Sequence, residues 1–169
     1  MIHPITKLGA PVLETPAAPV KKFDQDLSKL CDDMFESMYT ANGVGLAAPQ
    51  IGIGLRLAVI DVSLGKNPEA KLVLANPEII HIEGEQREEE GCLSLPGFRA
   101  SVVRPLYVTV RAQDAAGKTF EMRGEGLLAR AFCHEIDHLH GILFIRHLSS
   151  LKRELIKRKI RKLKKAGGW

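Results

Sequence analysis

Residues 132–141 read Phe-Cys-His-Glu-Ile-Asp-His-Leu-His-Gly, and within them lies His134-Glu135-x-x-His138. An α-helix turns once per 3.6 residues, so side chains four apart stand one above the other on a single face. His134 and His138 so placed can grip one metal ion. Glu135, one step round the helix, is then available to exchange protons with water at that ion. Leu127, Leu128, Ala131 and Phe132 precede the motif, so the helix is apolar enough to be central. Burying two histidines and an acid without partners is costly, and a bound ion removes that objection. The spacing predicts a helix over Leu127–Leu139, closed by Gly141.

Two histidines leave a coordination shell incomplete, so a further ligand must come from elsewhere in the chain. A third histidine six positions after His138 would give a well-known protease pattern, but Phe144 stands there and His147 comes three residues too late. The only downstream glutamate is Glu154, inside a basic run. His140, two residues past His138, falls near the opposite helix face and is expected to be exposed. Cys92, within Glu90-Gly91-Cys92-Leu93-Ser94, is a specific candidate, although alone it fits a small buried hydrophobe better than a ligand. Cys31, Cys92 and Cys133 form an odd set, a poor basis for disulfides. A reducing, cytoplasmic setting fits them, and thiolates there are good ligands for borderline metals.

With 169 residues the chain is long enough for one well-cored domain, expected to span 1–169. No apolar run approaches the roughly 20 residues that cross a bilayer, and the start lacks a basic-then-apolar export pattern. No membrane association is expected, and a monomer is. The formal charge of +4 conceals an asymmetry: Lys152–Lys165 holds nine Lys or Arg against one acid, so the remainder is mildly acidic. Leu27, Leu30, Cys31, Met34, Phe35, Met38 and Tyr39 mark an amphipathic helix beginning near Asp24 or Asp26. Gly43-Val44-Gly45-Leu46-Ala47-Ala48-Pro49-Gln50 is too rich in Gly and Pro for regular structure, yet unusually apolar for a loop. Leu55–Val62, Lys71–Ile80, Ser101–Ala112 and Thr119–Gly124 read as strands, the last two joined through Asp114-Ala115-Ala116-Gly117. Ile142–Ile145 suggests a short strand. Ser149 or Ser150 caps a final helix in which Leu151, Leu155 and Ile156 are expected to pack on the body while later residues project outward. The class is α+β: mixed or antiparallel sheets around a central His-Glu-x-x-His helix, with a basic C-terminal helix over 149–169.

Gly43–Gln50, then Glu90–Ser94, then His134–Leu139, in this order and spacing, resemble the three signature segments of peptide deformylase. The likeness spans essentially the whole chain, and about twenty ordered positions are far more specific than His-Glu-x-x-His alone. One departure is Cys133, where the family usually has Gln.

The resemblance implies a metal-dependent hydrolase that removes the N-formyl group from the N-terminal formylmethionine of new polypeptides, releasing formate. It implies that Cys92, His134 and His138 hold one divalent ion, Fe(II) first, with Zn, Ni or Co also suited. Glu135 would relay the proton, and the Gln50 side-chain amide and Leu93 backbone N–H would meet charge on the formyl oxygen. Val44, Gly45, Arg99 and Leu127 would contact substrate, with the Gly43–Ala48 backbone pairing to an extended peptide. Two charge pairs are expected around the site: Arg130 with Glu88, and Arg104 with Glu90. The family works at the ribosomal exit, so the basic helix is expected to dock on the ribosome.

Overall fold

Asp24 starts the first helix by accepting the Leu27 N–H at 3.0 Å, and α1 runs Gln25–Thr40. In chain order there follow strands β1 (Gly45–Ala47), β2 (Leu57–Ile60), β3 (Leu72–Glu83), β4 (Gln86–Gly91), β5 (Arg99–Arg104), β6 (Tyr107–Gln113) and β7 (Thr119–Glu125). Helices α2 (Leu127–Leu139) and α3 (Ser150–Lys165) complete the chain. The computed structural model describes residues 1–169. The class is the expected one, α+β.

Five strands form one antiparallel sheet in the order β1-β2-β3-β6-β7, and β4 pairs with β5 alone. The β2 sequence Leu-Ala-Val-Ile is buried throughout because helices cover both faces of its sheet. Leu57 and Val59 pack with Leu27, Cys31, Met34, Phe35 and Met38 of α1. Ile60, with Leu74, Val108 and Val110, packs instead against Ala129, Phe132, Cys133 and Ile136 of α2. Each large side chain so buried contributes roughly 1.5–3 kcal/mol. The motif helix is therefore pinned on its sheet side by apolar contact. It ends where Gly141, at φ 76, lets its own N–H reach the His138 carbonyl and the Ile142 N–H reach that of Asp137.

Four expectations are corrected, and one strand is new. Ser101–Ala112 is two strands in two sheets, because Pro105 interrupts the run between Arg104 and Tyr107. A strand not read from the sequence, β4, carries the acidic run Glu88-Glu89-Glu90 and pairs along β5. Gly43–Gln50 does contain regular structure, the short strand β1 and a 3₁₀ turn over Ala48–Ile51. Phe144–His147 is likewise a 3₁₀ turn where a strand was expected. In α3, begun by Ser149, Leu151 and Leu155 are exposed where packing was expected; Ile156 packs as expected, and Ile160 is buried where an outward projection was expected.

Candidate active site

Helix α2 presents His134, Glu135 and His138 together, at 9%, 4% and 1% exposure. Glu90, at the end of β4, fixes the first of these. Its Oε2 accepts from His134 Nδ1 at 2.9 Å, which leaves the His134 Nε2 lone pair free to point inward. The same carboxylate accepts from Arg104 at 3.0 and 2.7 Å and from Arg130 at 2.8 Å. Arg104 continues to Asp137 Oδ2 at 2.9 Å, which His147 Nε2 also meets at 2.8 Å. Burial alone would raise the Glu90 carboxyl, but the hydrogen bonds from His134 and Arg104 outweigh it and hold the group well below the usual carboxylate range.

The expected Arg104–Glu90 pair is therefore present. The expected Arg130–Glu88 pair is not: Arg130 turns inward to Glu90, and Glu88 is exposed. Period-two alternation gives Glu88 and Glu90 equal claims on one face, and only the end of the strand lies against α2. Asp137 and His147 escaped sequence reasoning, although Asp137 sits three residues after His134 on the same helix.

Cys92 follows β4 directly and turns toward this helix. Its Sγ lies 3.3 Å from His138 Nε2, which lies 3.2 Å from His134 Nε2. All three donor atoms fall within 4.8 Å of one another. Around a tetrahedral ion with metal–sulfur near 2.3 Å and metal–nitrogen near 2.05 Å, donor spacings of roughly 3.3 Å for N···N and 3.6 Å for S···N are expected. The set fits one ion. Three lone-pair donors this close, in a nearly dry setting, also repel one another unless a proton or cation sits between them. Burial pushes His138 well below its ordinary range, which keeps it neutral and able to ligate. Cys133 points into the sheet core and His140 is exposed, so neither joins the group.

Glu135 is in a contrasting position. It makes no side-chain hydrogen bond, its Oε2 is buried without a partner, and burial pushes its carboxyl up to about 7. It lies flat against Gly45, where a Cβ would stand 2.7 Å from Glu135 Oε1. A side chain at this position would force Glu135 to shift.

Gln50 is almost fully buried. Its Oε1 accepts the Ala47 N–H at 3.0 Å, which fixes the amide so that Nε2 faces Ser94 Oγ at 3.2 Å and Cys92 Sγ at 3.5 Å. The Leu93 N–H makes no hydrogen bond within the protein. A cleft of about 320 Å³ opens over these groups, and Val44, Gly45, Gln50, Leu93, Arg99, Leu127, His134 and Glu135 all line it. Every expected substrate contact is thus brought to one cleft. Asn42, Glu89 and Ala131 also line it, beyond the residues expected from sequence. β1 is the outermost strand of its sheet, and Asp61 N–H donates to the Val44 carbonyl at 2.8 Å. By antiparallel alternation Gly45 therefore turns its N–H and C=O to the open edge.

Two imidazoles one turn apart, a thiol from a separate loop and a carboxyl beside them define a metal-dependent hydrolase. The chain belongs to the polypeptide deformylase family, whose profile matches residues 2–154. It is similar to the peptide deformylase of Acidobacterium capsulatum, 63% identical over 169 residues, covering 100% of this chain and 99% of the relative. The crystal structure of the Legionella pneumophila enzyme matches with a TM-score of 0.91 at 50% identity, over 99% of this chain and 98% of its own. That from Thermus thermophilus matches at 0.87 and 43% identity, over 95% and 94%. The family's activity is removal of the N-formyl group from nascent polypeptides.

Proposed function

We propose that Cys92, His134 and His138 hold the single divalent ion this enzyme requires, and that the remaining cleft residues position and protonate the formyl-peptide. The observation that carries this reading is the 3.2 and 3.3 Å approach of three lone-pair atoms beside a carboxyl with no partner. When bound, such an ion lowers the pKa of water toward neutrality and polarises a carbonyl oxygen.

The chain's own groups do the rest. Gly45 pairs through its free backbone edge with the extended peptide, which reads main chain and leaves side-chain identity open. Arg99 lies along that path, and Val44 and Leu127 flank the methionine side chain. Gln50 Nε2 and the Leu93 N–H donate to the formyl oxygen as negative charge builds on it, and loss of one such donor costs about 10²–10³ in rate. Glu135 takes the proton of the attacking water at Oε2 and delivers it to the departing amine. An affinity poised near neutrality suits a group that must both accept and return a proton.

Fe(II) is the proposed native metal, and the thiolate–imidazole set also accommodates Zn, Ni or Co. The chain works as a cytoplasmic monomer of one catalytic domain, residues 1–169, whose α3 docks on the ribosome. Support for docking is the exposed cationic face of α3, where Arg158, Lys159, Arg161, Lys162, Lys164 and Lys165 all reach solvent. No helix is long and apolar enough to cross a membrane. Replacing Arg158, Lys159 and Lys162 together with alanine should weaken ribosome association and flatten its salt dependence while sparing turnover of a tripeptide. Unchanged, salt-insensitive association would end the docking proposal.

The activity reading is tested by incubating the metal-loaded enzyme with formyl-Met-Ala-Ser and with its unformylated twin, then assaying formate and free Met. Formate from the first and no Met from the second is expected. A general peptidase would liberate Met from the unformylated peptide, and a purely structural metal module would release neither product.

A further inference from the structure

Helix α3 does not simply run out into solvent. The Gly168 N–H donates to the Leu163 carbonyl at 2.8 Å and the Gly167 N–H to that of Lys164 at 3.1 Å, with Gly167 at φ 75. This paired closure reverses the chain and lays Trp169 back on the body. There the Trp169 Nε1–H donates to the Leu8 carbonyl at 3.0 Å. Its ring meets Phe98 edge-on, with centroids 6.1 Å apart and planes at 68°, and Lys7 Nζ lies 5.6 Å from its centroid. Residues 155–169 lie beyond the segment matched by the family profile, so nothing in that match accounts for this contact.

What Trp169 touches leads straight to the site. Leu8 turns its carbonyl to Trp169 and its N–H to the Ser94 carbonyl, at 3.0 Å. Two residues earlier the Thr6 N–H donates to the Gln50 carbonyl at 2.7 Å. Thr6–Leu8 thus ties together two segments whose side chains already meet through Gln50 Nε2 and Ser94 Oγ. Phe98 closes the other end of the same loop: its N–H donates to the Leu95 carbonyl at 3.2 Å, and the Leu95 N–H to that of Cys92 at 2.9 Å. No helix or strand spans Cys92–Phe98 and Gly97 sits at φ 85, so the loop is held by the burial of Ser94 and Leu95 and by these few contacts at its ends.

We propose that Trp169 is a positioning residue for this enzyme, bracing Thr6–Leu8 and the Cys92–Phe98 loop so that the Cys92 thiolate, the Leu93 N–H and the Gln50 amide keep their mutual geometry. It touches neither substrate nor reacting atoms. It adds to the core packing of Leu95 a hold on the outer end of the loop, at Phe98. The effect on turnover rests on the ligand and donor roles proposed above; the effect on loop order does not.

The test compares the metal-loaded wild type with Trp169→Ala and Trp169→Phe by hydrogen exchange at the Leu8, Leu95 and Phe98 amides, with Val110 in the sheet as internal reference, and by steady-state hydrolysis of formyl-Met-Ala-Ser. In Trp169→Ala the three loop-side amides should exchange at least about tenfold faster with Val110 unchanged, since local opening is separable from global unfolding. kcat should fall about 3–10-fold with KM within twofold, less than the ~10²-fold that a 1 Å misplacement can cost. Trp169→Phe keeps a ring against Phe98 but not the N–H. It should restore protection at Leu95 and Phe98, leave Leu8 exchange fast and recover only part of kcat, and it decides the matter by itself if the alanine variant does not fold. Equal acceleration at Val110 and Leu95, or loop exchange and kcat both at wild-type values, overturns the proposal. Accelerated loop exchange together with full metal content in Cys92→Ser would instead count against the ligand assignment.

Discussion

Glu90 and Glu135 are 5% and 4% exposed, flank the same histidine, and have opposite surroundings. On the β4–β5 side of α2, Glu90 takes four donor contacts from three cationic or polarised side chains and is held ionised. On the β1 side, Glu135 has no hydrogen-bond partner at all and is pushed up to about 7. A folding protein offsets the desolvation of a structural carboxylate by pairing it, and Glu90 follows that rule. Glu135 does not, and an unpaired buried carboxyl is tolerated where its proton has work to do. The contrast sets the half of the site that is held rigid against the half proposed to react.

It can be broken by exchanging each carboxyl for its amide. Glu135→Gln removes the relay and no structural contact, so kcat should fall by about 10²–10⁴ while metal content and thermal midpoint stay near wild type. A variant that lost its metal along with its activity would put Glu135 on the structural side instead. Glu90→Gln should do the reverse. It leaves Arg104 and Arg130 facing a neutral group, at a cost of about 3–5 kcal/mol, and it loosens His134, weakening metal affinity roughly 10–100-fold. Urea unfolding and competition with a chelator would read both effects, and a stable, fully metallated Glu90→Gln would erase the distinction.

Two smaller effects sharpen it. Gly45→Ala places a methyl 2.7 Å from Glu135 Oε1, so turnover should drop about 10–100-fold through displacement of the relay, with little change in metal binding. Kinetics at wild-type level would mean that Glu135 has room to move. The second is a pH dependence. Glu135 titrates near 7 folded and near 4.5 unfolded, so the folded state binds more protons across that window and stability falls as pH rises through it. Metal-free wild type should therefore lose on the order of 1–3 kcal/mol against Glu135→Gln between pH 5 and pH 8, measured by urea titration. Parallel curves for the two proteins would remove the physical basis for the raised carboxyl.

Much of this architecture is legible in the chain itself. Helix α2 can be read to the residue because three local signals coincide: an apolar lead-in, four-residue histidine spacing and a closing glycine at 141. The proposed ligand set comes from motif order and the resemblance it carries, since Cys92 alone gives no signal that separates a thiolate from a small hydrophobe. What local pattern misses is set by long-range packing. Whether Glu88 or Glu90 faces Arg130 depends on where β4 ends against α2, and Pro105 divides a run whose two halves have the same composition but enter different sheets. In α3 the apolar stripe predicts that some residues dock and is silent on which; Ile160 docks and Leu151 does not, because Leu8, Leu13 and Leu95 wait beside the former.

In the proposed reading both halves of the site turn on a single ion at Cys92, His134 and His138. The most direct measurement is a metal titration of apo-enzyme under anaerobic conditions, following bound metal per chain and formate release from formyl-Met-Ala-Ser in the same samples. The rate should rise in proportion to bound metal, saturate at one equivalent, and stay at background in Cys92→Ser at every metal concentration. Full activity without metal, saturation at two equivalents, or wild-type stoichiometry and rate in Cys92→Ser would contradict it.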